Sequence, residues 1–163
     1  MTLTTRVGAR HSPTRAATTS ALVSWVQADV AAHTNLCTVA YWHKPYWTSP
    51  TSVHSRSSEL RPIVDALYAG GVDIALQAHN HDYERFAPQT PADVADANGI
   101  RAFVVGTGGR SFYSFTETAA NSVVKQSDTF GVLIFTLHDG SYDWQFARAA
   151  GGTFTDSGSG TCH

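Results

Sequence analysis

Two histidines, His79 and His81, stand two residues apart directly after a largely apolar run at residues 72–76. In an extended chain, residues i and i+2 point to the same side, so both imidazoles can be presented to one point. Imidazole nitrogen is a common ligand for zinc and other transition metals. The spacing therefore predicts a metal site just beyond a strand end, where α/β proteins commonly carry their chemistry.

A third histidine, His43, follows another strand-like segment at residues 36–42. If the two strands are parallel, their carboxyl ends lie at the same edge of the sheet. The imidazoles of His43, His79 and His81 would then converge, which is enough for one zinc-like ion with an open coordination position. The alternative interpretation is that each is an ordinary loop histidine after a strand.

Seven segments carry the periodicity of a helix or a strand and form the framework for these histidines. They are helices at 21–32, with Ser20 as N-cap, and from Ser57 or Ser58 to Gly70, and strands at 36–42, 72–77, 100–105, 130–137 and 142–147. The order helix, strand, helix, strand favours a parallel pair with a crossover helix, and hence an α/β fold. The strands at 36–42 and 130–137 are apolar at both parities, which predicts interior positions.

Composition and charge exclude several partners. A chain of 163 residues fits one ordinary domain. Its formal net charge of -2 gives no electrostatic reason to expect nucleic acid or an anionic membrane as a partner. No apolar run approaches the ~20 residues that a membrane span requires.

We expect three parts along the chain. Residues 1–19 hold three arginines and no acidic residue, but no apolar segment of a secretory signal, so they are interpreted as a disordered or unrelated leader. Residues 20–150 would form the domain. Residues 151–163 are rich in Gly, Ser and Thr, which predicts an irregular tail. Cys37 and Cys162 lack zinc-ligand spacing and are either a structural disulfide, in an oxidising compartment, or two unpaired thiols.

Residues 78–85, AHNHDYER, resemble the GHxHxYER signature of the calcineurin-like metallophosphoesterases, in the purple acid phosphatase branch. Ala78 stands where that family usually has glycine. Residues 39–45, VAYWHKP, resemble the strand-plus-histidine motif that precedes the signature. The segment VVGTGG at 104–109 and the tail resemble secreted bacterial members, so the likeness covers about residues 20–163.

The resemblance implies a β-sandwich flanked by helices (αββα) with two metal ions, Fe, Zn or Mn, at the strand ends. It assigns His43 and His79 to one ion and His81 to the other. In this family the ions polarise a phosphate ester and generate the hydroxide that attacks phosphorus. His54 lies in the loop where the branch places substrate-contacting histidines, and would protonate the leaving alkoxide. The alternative for His54 is an exposed loop residue.

The remaining signature residues are expected to support the site. Tyr83, Glu84 and Arg85 match the motif and would brace the loop rather than touch the substrate. Asp82 either hydrogen-bonds a ligand imidazole or is an exposed carboxylate. The glycines of 106–109 either donate backbone N–H groups to phosphate or form a tight turn. The resemblance also implies a secreted or extracytoplasmic protein, although no signal peptide is present.

The family's upstream GDxxY and GNHE motifs have no counterpart, and Asp29 is the only acidic residue before His43. Because two cations ~3.5–4 Å apart need a bridging carboxylate, we expect the C-terminal half of a phosphoesterase, inactive alone and binding at most one ion. The alternatives are a non-catalytic metal-binding fragment or one piece of a split enzyme, completed by an N-terminal half that supplies Asp and Asn ligands.

Overall fold

The structure, a computed structural model, describes residues 18–33 and 36–163. Residues 1–17 of the expected leader lie outside this range. The described elements are α1 (Thr19–Ala32), β1 (Val39–Tyr41), a 3₁₀ turn (Ser58–Leu60), α2 (Arg61–Ala69), β2 (Ile74–Gln77), β3 (Tyr83–Phe86), β4 (Arg101–Val105), β5 (Ser122–Gln126), β6 (Gly131–His138), β7 (Ser141–Arg148) and β8 (Ser157–Thr161). The α/β class is confirmed.

The N-cap of helix α1 is Thr18 rather than the predicted Ser20. The Thr18 hydroxyl accepts the backbone N–H of Ala21 at 3.3 Å, which satisfies one of the free donors of the first turn. Ser20 lies inside that turn, and its hydroxyl pairs with that of Thr18. At the far end of α2, a Cβ atom on Gly70 would lie 2.7 Å from Cγ1 of Val30, so glycine there lets the two helices pack closely.

Five strands form the first sheet in the order β1-β2-β4-β3-β5. Strands β1, β2 and β4 are parallel, and α2 connects β1 to β2, so the predicted parallel pair with its crossover helix is confirmed. The predicted interior position of residues 36–42 is wrong. Strand β1 is short and lies at the edge of the sheet, where the Tyr41 side chain is 61% exposed.

Three antiparallel strands form the second sheet in the order β6-β7-β8. The predicted hairpin of β6 and β7 is confirmed, but β6 is an edge strand whose alternate residues Val132 and Ile134 are exposed, not an interior strand. The tail is not irregular, because residues 157–161 form β8. Gly158 and Gly160 lie directly under the rings of Trp144 and Tyr142, and this close contact makes a glycine-rich strand possible.

The core has two apolar layers, one on each face of the first sheet. The layer beneath the helices contains Val64, Leu67, Val72, Phe86 and Trp47. The layer between the two sheets contains Ile74, Tyr83, Phe103, Tyr142, Trp144 and Phe146. The described residues therefore stack as helices, first sheet and second sheet.

A disulfide joins Cys37, just before β1, to Cys162, just after β8. Next to it, the Asp73 carboxylate accepts the backbone N–H groups of Thr38 at 2.8 Å and His163 at 2.9 Å. The covalent bond and the buried carboxylate together fasten β8 to the start of the first sheet. No helix in the described part of the chain has the length and apolar character needed to cross a membrane.

Candidate functional site

The parallel pairing of β1 and β2 continues beyond the strand ends and brings two histidines together. Trp42 donates its N–H to the carbonyl of Leu76, and Ala78 donates to the carbonyl of His43, both at 3.0 Å. Nε2 of His43 then lies 3.0 Å from Nδ1 of His79, with the two rings nearly perpendicular. The imidazoles of His43 and His79, which follow the two predicted strands, therefore lie in contact with each other.

His79 itself does not continue the strand. Its φ angle is +67°, a left-handed conformation that costs a non-glycine residue about 1–3 kcal/mol and is found preferentially at functional positions. The backbone closes a tight turn here, since the N–H of Asn80 bonds to the carbonyl of Ala78 at 2.8 Å. The extended i, i+2 geometry that predicted a common direction for His79 and His81 is therefore wrong.

His81 is held by a different part of the chain. Its Nδ1 lies 2.8 Å from the carbonyl oxygen of Ser111, and its ring stacks on that of Tyr113. Within residues 18–33 and 36–163, no three His, Cys, Asp or Glu side chains are placed so that they could hold a metal ion. The expected site of three imidazoles around one ion is thus not formed within the described residues: His43 and His79 pair with each other, whereas His81 contacts Ser111 and Tyr113.

His54 takes the place beside His79 instead. Its ring centroid lies 4.3 Å from that of His79. A compact turn holds it there: the Thr51 hydroxyl accepts the N–H of His54 at 3.0 Å, and the N–H of Thr51 donates to the carbonyl of His54 at 2.8 Å. We call the four residues His43, His54, His79 and His81 the histidine edge.

Tyr113 is the residue at this edge that the sequence did not reveal. Its ring lies 4.2 Å from that of His81 and nearly parallel to it, and 5.4 Å from that of His54 at a steep angle. The segment around it has neither helical nor strand periodicity. No sequence signal connects it to histidines that are 32 and 59 positions away.

Burial and neighbouring positive charges shape the electrostatics of the edge. Partial burial lowers the pKa of His79, and His54, His43, Lys44 and His81 lower it further. A neutral imidazole is the form that binds a metal ion. The surroundings therefore favour the ligand form of His79.

The glycine segment after β4 packs against the turn. A Cβ atom on Gly106 would overlap the carbonyl oxygen of Asn80, and the N–H of Gly106 is occupied by the carbonyl of Asp82 at 2.9 Å. The Thr107 hydroxyl bonds to the carbonyl of Gly131 at 2.8 Å. Gly106 thus permits a close approach, and its N–H is not free for a phosphate.

Asp82 departs from both of its expected roles. It is fully buried, and neither carboxylate oxygen has a hydrogen-bond partner among the described residues. It is therefore neither an exposed carboxylate nor bonded to a ligand imidazole. Burial, with the nearby Glu84, raises the pKa of Asp82 to about 8. The buried Oδ1 of Asn80 also lacks a partner in the described structure.

Glu84 braces the loop that carries His54. Its buried carboxylate accepts the backbone N–H of Ser49 at 2.6 Å and the hydroxyls of Ser49 and Ser122. Ser49 in turn accepts the N–H of Ala119 at 2.9 Å. The carboxylate thus ties residues 43–57 to β3 and β5.

Tyr83 and Arg85 act on the opposite face of β3, within a strand that was predicted to be loop. Together with Trp144 and Asp156 they form what we call the Asp156 cluster. The Asp156 carboxylate accepts the Tyr83 hydroxyl at 2.6 Å, Nε and Nη2 of Arg85 at 2.8 and 2.9 Å, and the Trp144 indole at 3.2 Å. Burial would raise the pKa of Asp156, but these donors hold it below its usual value.

Comparison with known proteins shows which solved structures have a similar fold. No protein-family profile matches the chain, and no curated protein matches it. A purple acid phosphatase from yellow lupin (Lupinus luteus) seeds matches with a TM-score of 0.70 and 21% identity, over 85% of this chain and 28% of that one. GAP50, described as the anchor in the inner membrane complex of Plasmodium, matches with a TM-score of 0.70 and 17% identity, over 88% of this chain and 42% of that one. The fold is therefore similar to part of the fold of each neighbour, and the chain spans less than half the length of either one.

Proposed function

We propose that this chain is the C-terminal part of a metal-dependent phosphoric ester hydrolase with an αββα sandwich and a dinuclear centre. The observation that carries the proposal is the contact of His43 Nε2 with His79 Nδ1 at the ends of two parallel strands. Metal ions at such a centre polarise phosphate oxygens and generate a hydroxide nucleophile. The substrate class is a phosphate ester.

The histidine pair fits two ligands of one metal ion. Two nitrogens that each lie ~2.1 Å from the same ion are about 3.0–3.4 Å apart at angles between a right angle and the tetrahedral value. The 3.0 Å separation between His43 and His79 lies in that range. In the metal-free chain one of these nitrogens donates a hydrogen bond to the other. Binding of a metal ion by both nitrogens would require the donor ring to carry its hydrogen on its other nitrogen.

His81 is proposed as a ligand of the second ion. A carbonyl oxygen can only accept a hydrogen bond, so the contact with Ser111 requires that Nδ1 of His81 carry the proton. Nε2 then keeps its lone pair. A ring whose second nitrogen donates to a carbonyl is the usual arrangement of a metal-bound histidine.

His54 is proposed as the general acid. It lies against His79 without belonging to the close His43–His79 pair. A protonated imidazole in this position can donate its proton to a leaving alkoxide. Lys44 adds positive charge beside His79, which favours an anionic ligand such as a phosphate ester.

Carboxylate ligands must come from outside the described residues. Two cations need a bridging carboxylate, and no cluster of the required ligands occurs in 18–33 and 36–163. We therefore propose a polypeptide segment, either on the same protein or on a separate chain, that supplies Asp and Asn ligands. With it the centre binds two ions, and without it at most one.

The edge formed by β1 and β6 is the proposed docking surface for that segment. Outward N–H and C=O groups of Val39 and Tyr41 have no partner strand in the described residues. Between β1 and β6 lies an apolar cleft of about 410 Å³. It is lined by Tyr41, Trp42, Leu76, Gln77, Ala78, Val105, Gly108, Gly131, Val132 and Leu133. Two of these residues adjoin His43 and His79, so a segment in the cleft would reach the site.

Zinc titration of the metal-free chain by calorimetry tests the metal proposal. We expect about one zinc per chain, lost in His43→Ala and in His79→Ala. His33→Ala, which removes an exposed histidine in the segment after α1, is the control and should bind zinc normally. Equal zinc binding by all variants would show that the pair is not the site.

Hydrolysis of p-nitrophenyl phosphate with added Zn, Fe or Mn tests the need for further ligands. The chain alone should show no turnover above the free-metal background. Turnover that His79→Ala abolishes would show that the chain is complete as an enzyme and would overturn the requirement for carboxylates from elsewhere.

The second candidate is a non-catalytic metal-binding module. The structural neighbour described as an anchor shows that a similar fold also occurs in a protein named for another role. This candidate predicts zinc binding by His43 and His79 without phosphate release, even after a carboxylate-bearing segment has been supplied in trans. For either function the Cys37–Cys162 disulfide supports a secreted or extracytoplasmic location.

A further inference from the structure

We propose that Tyr113 is the positioning residue of the histidine edge, holding His81 in a single orientation and tautomer and restricting His54. The inference deepens the proposed function, since it explains how a metal ligand and an acid are kept in place. It concerns geometry that exists before any metal binds. It can therefore be tested in the metal-free chain.

Three contacts from one short segment converge on His81. The carbonyl of Ser111 lies 2.8 Å from Nδ1 of His81, and the backbone N–H of Tyr113 donates to the His81 carbonyl at 3.1 Å. The Tyr113 ring then covers one face of the imidazole at 4.2 Å, with the planes 16° apart. Side chain, backbone and ring face of His81 are thus held by residues 111–113.

Each contact removes a different freedom of the imidazole. The Ser111 carbonyl selects the tautomer that carries hydrogen on Nδ1, because a carbonyl cannot donate. Stacking opposes rotation of the ring about its Cβ–Cγ bond, since rotation would move the imidazole out of the plane parallel to Tyr113. Loss of the stacked ring would remove the restraint on rotation, so the imidazole could turn away from the Ser111 carbonyl and its tautomer would no longer be fixed.

The same tyrosine restrains His54 from the other side. The two rings meet edge to face at 5.4 Å, a separation within the range of attractive aromatic pairs. The loops that carry them are joined by a hydrogen bond from the N–H of Ser52 to the carbonyl of Ser114 at 2.9 Å and by a bridge between Thr51 and Phe115. A single ring therefore sets the spacing of two histidines from different loops.

The ring of Tyr113, not its hydroxyl, supplies these contacts. The hydroxyl makes no side-chain hydrogen bond within the described residues, whereas both aromatic contacts belong to the ring. Tyr113→Phe should therefore behave like the native residue. Tyr113→Leu keeps an apolar side chain but removes the flat face.

Histidine side-chain ¹H–¹⁵N correlation spectra of the metal-free chain provide the test. In the native chain and in Tyr113→Phe, His81 should be a single tautomer with hydrogen on Nδ1. In Tyr113→Leu it should become a mixture. Phe112→Leu is the matched control, because Phe112 stacks on Phe130 rather than on a histidine, and its His81 signal should stay native.

Zinc binding in the same variants separates this inference from the proposed function. Tyr113→Leu should still bind zinc through His43 and His79, which also shows that it is folded. Absence of zinc in every variant would refute the proposed metal site and leave the tautomer result to stand by itself. An unchanged His81 tautomer in Tyr113→Leu, or a mixture already in Tyr113→Phe, would overturn the role of the Tyr113 ring.

Discussion

Two buried aspartates lie near the signature strand β3 in contrasting surroundings. Asp156, between the sheets, accepts hydrogen bonds from Tyr83, Arg85 and Trp144. Asp82, at the start of β3, has none from the described residues. Both carboxylates are shielded from water, yet the pKa of Asp156 is lowered and that of Asp82 is raised.

The contrast extends beyond the two carboxylates. Three further buried polar atoms without partners in the described structure lie in the segments that carry the histidines, namely Asn80 Oδ1 and the indole nitrogens of Trp42 and Trp47, whereas a fourth, Gln89 Nε2, lies after β3. Buried polar groups usually find a partner, and exceptions concentrate at functional or incomplete sites. Among the described residues, the Asp156 cluster between the sheets is therefore satisfied by side chains of this chain, whereas several polar groups next to the histidine edge have no partner.

Asp156→Ala should give the largest loss of stability, because it removes the acceptor for three side chains at once. Arg85, whose side chain is 12% exposed, would remain as a largely buried, unpaired cation, a change that costs up to about 3–5 kcal/mol. Urea unfolding measures the loss. Asp65→Ala breaks the exposed Arg61–Asp65 pair and should change the free energy of unfolding by only ~0.3 kcal/mol. Similar losses in both variants would contradict the structural importance of the Asp156 cluster.

Gly106→Ala should cause the next largest loss of stability. The clash would occur next to the histidine edge. The added methyl group would overlap the backbone carbonyl of Asn80, which cannot rotate away as a side chain could. Overpacking of this kind costs about 1–3 kcal/mol. Thermal unfolding checks the result. Gly108→Ala is the control, since no atom lies within 4 Å of the added methyl group.

Gly106→Ala should also disturb zinc binding, because Asn80 immediately follows His79. A weaker zinc affinity with a shifted His81 signal would connect the glycine to the geometry of the site. Native zinc affinity despite lower stability would restrict Gly106 to a packing role.

Part of this organisation was predictable from sequence because it follows from regular strands. The contact of His43 with His79 follows from two parallel strands that end at the same edge. Periodicity correctly located both helices, the crossover and the β6–β7 hairpin. Apolar composition did not distinguish an interior strand from an uncovered edge, so β1 and β6 were predicted to be interior.

The unpredicted parts depend on contacts between distant residues. Strand β3 contains the buried Glu84 and the partly buried Arg85, whose charges are satisfied by Ser49, Ser122 and Asp156 from 35 to 71 positions away. Strand β8 consists largely of glycine and serine and is stabilised by the aromatic rings of β7. The left-handed turn at His79 does not involve a glycine, so no signal in the sequence predicts it. Local hydrophobic periodicity therefore predicts none of these features.

The contributions of Asp82 and Asp156 to the free energy of unfolding should depend on pH with opposite signs. This difference tests the contrast between the two carboxylates directly. The pKa of Asp82 is raised to about 8 in the folded chain, whereas an unfolded aspartate titrates near ~3.9. Between these values the folded state keeps a proton that the unfolded state has lost. The contribution of Asp82 to stability therefore falls as the pH rises, by at most ~1.4 kcal/mol per pH unit.

Asp82→Asn, a neutral isostere, should remove this slope and gain stability over the native chain as the pH rises from about 4 to 8. Asp156→Asn should show the opposite trend. Because the pKa of Asp156 is lowered, its stabilisation is present above ~3.9 and is lost on acidification, so the native advantage over this variant should shrink only below that pH. Urea unfolding at a series of pH values measures both differences. Parallel pH profiles for the two variants would mean that the two carboxylates share one kind of environment, contrary to the contrast between the inter-sheet core and the histidine edge.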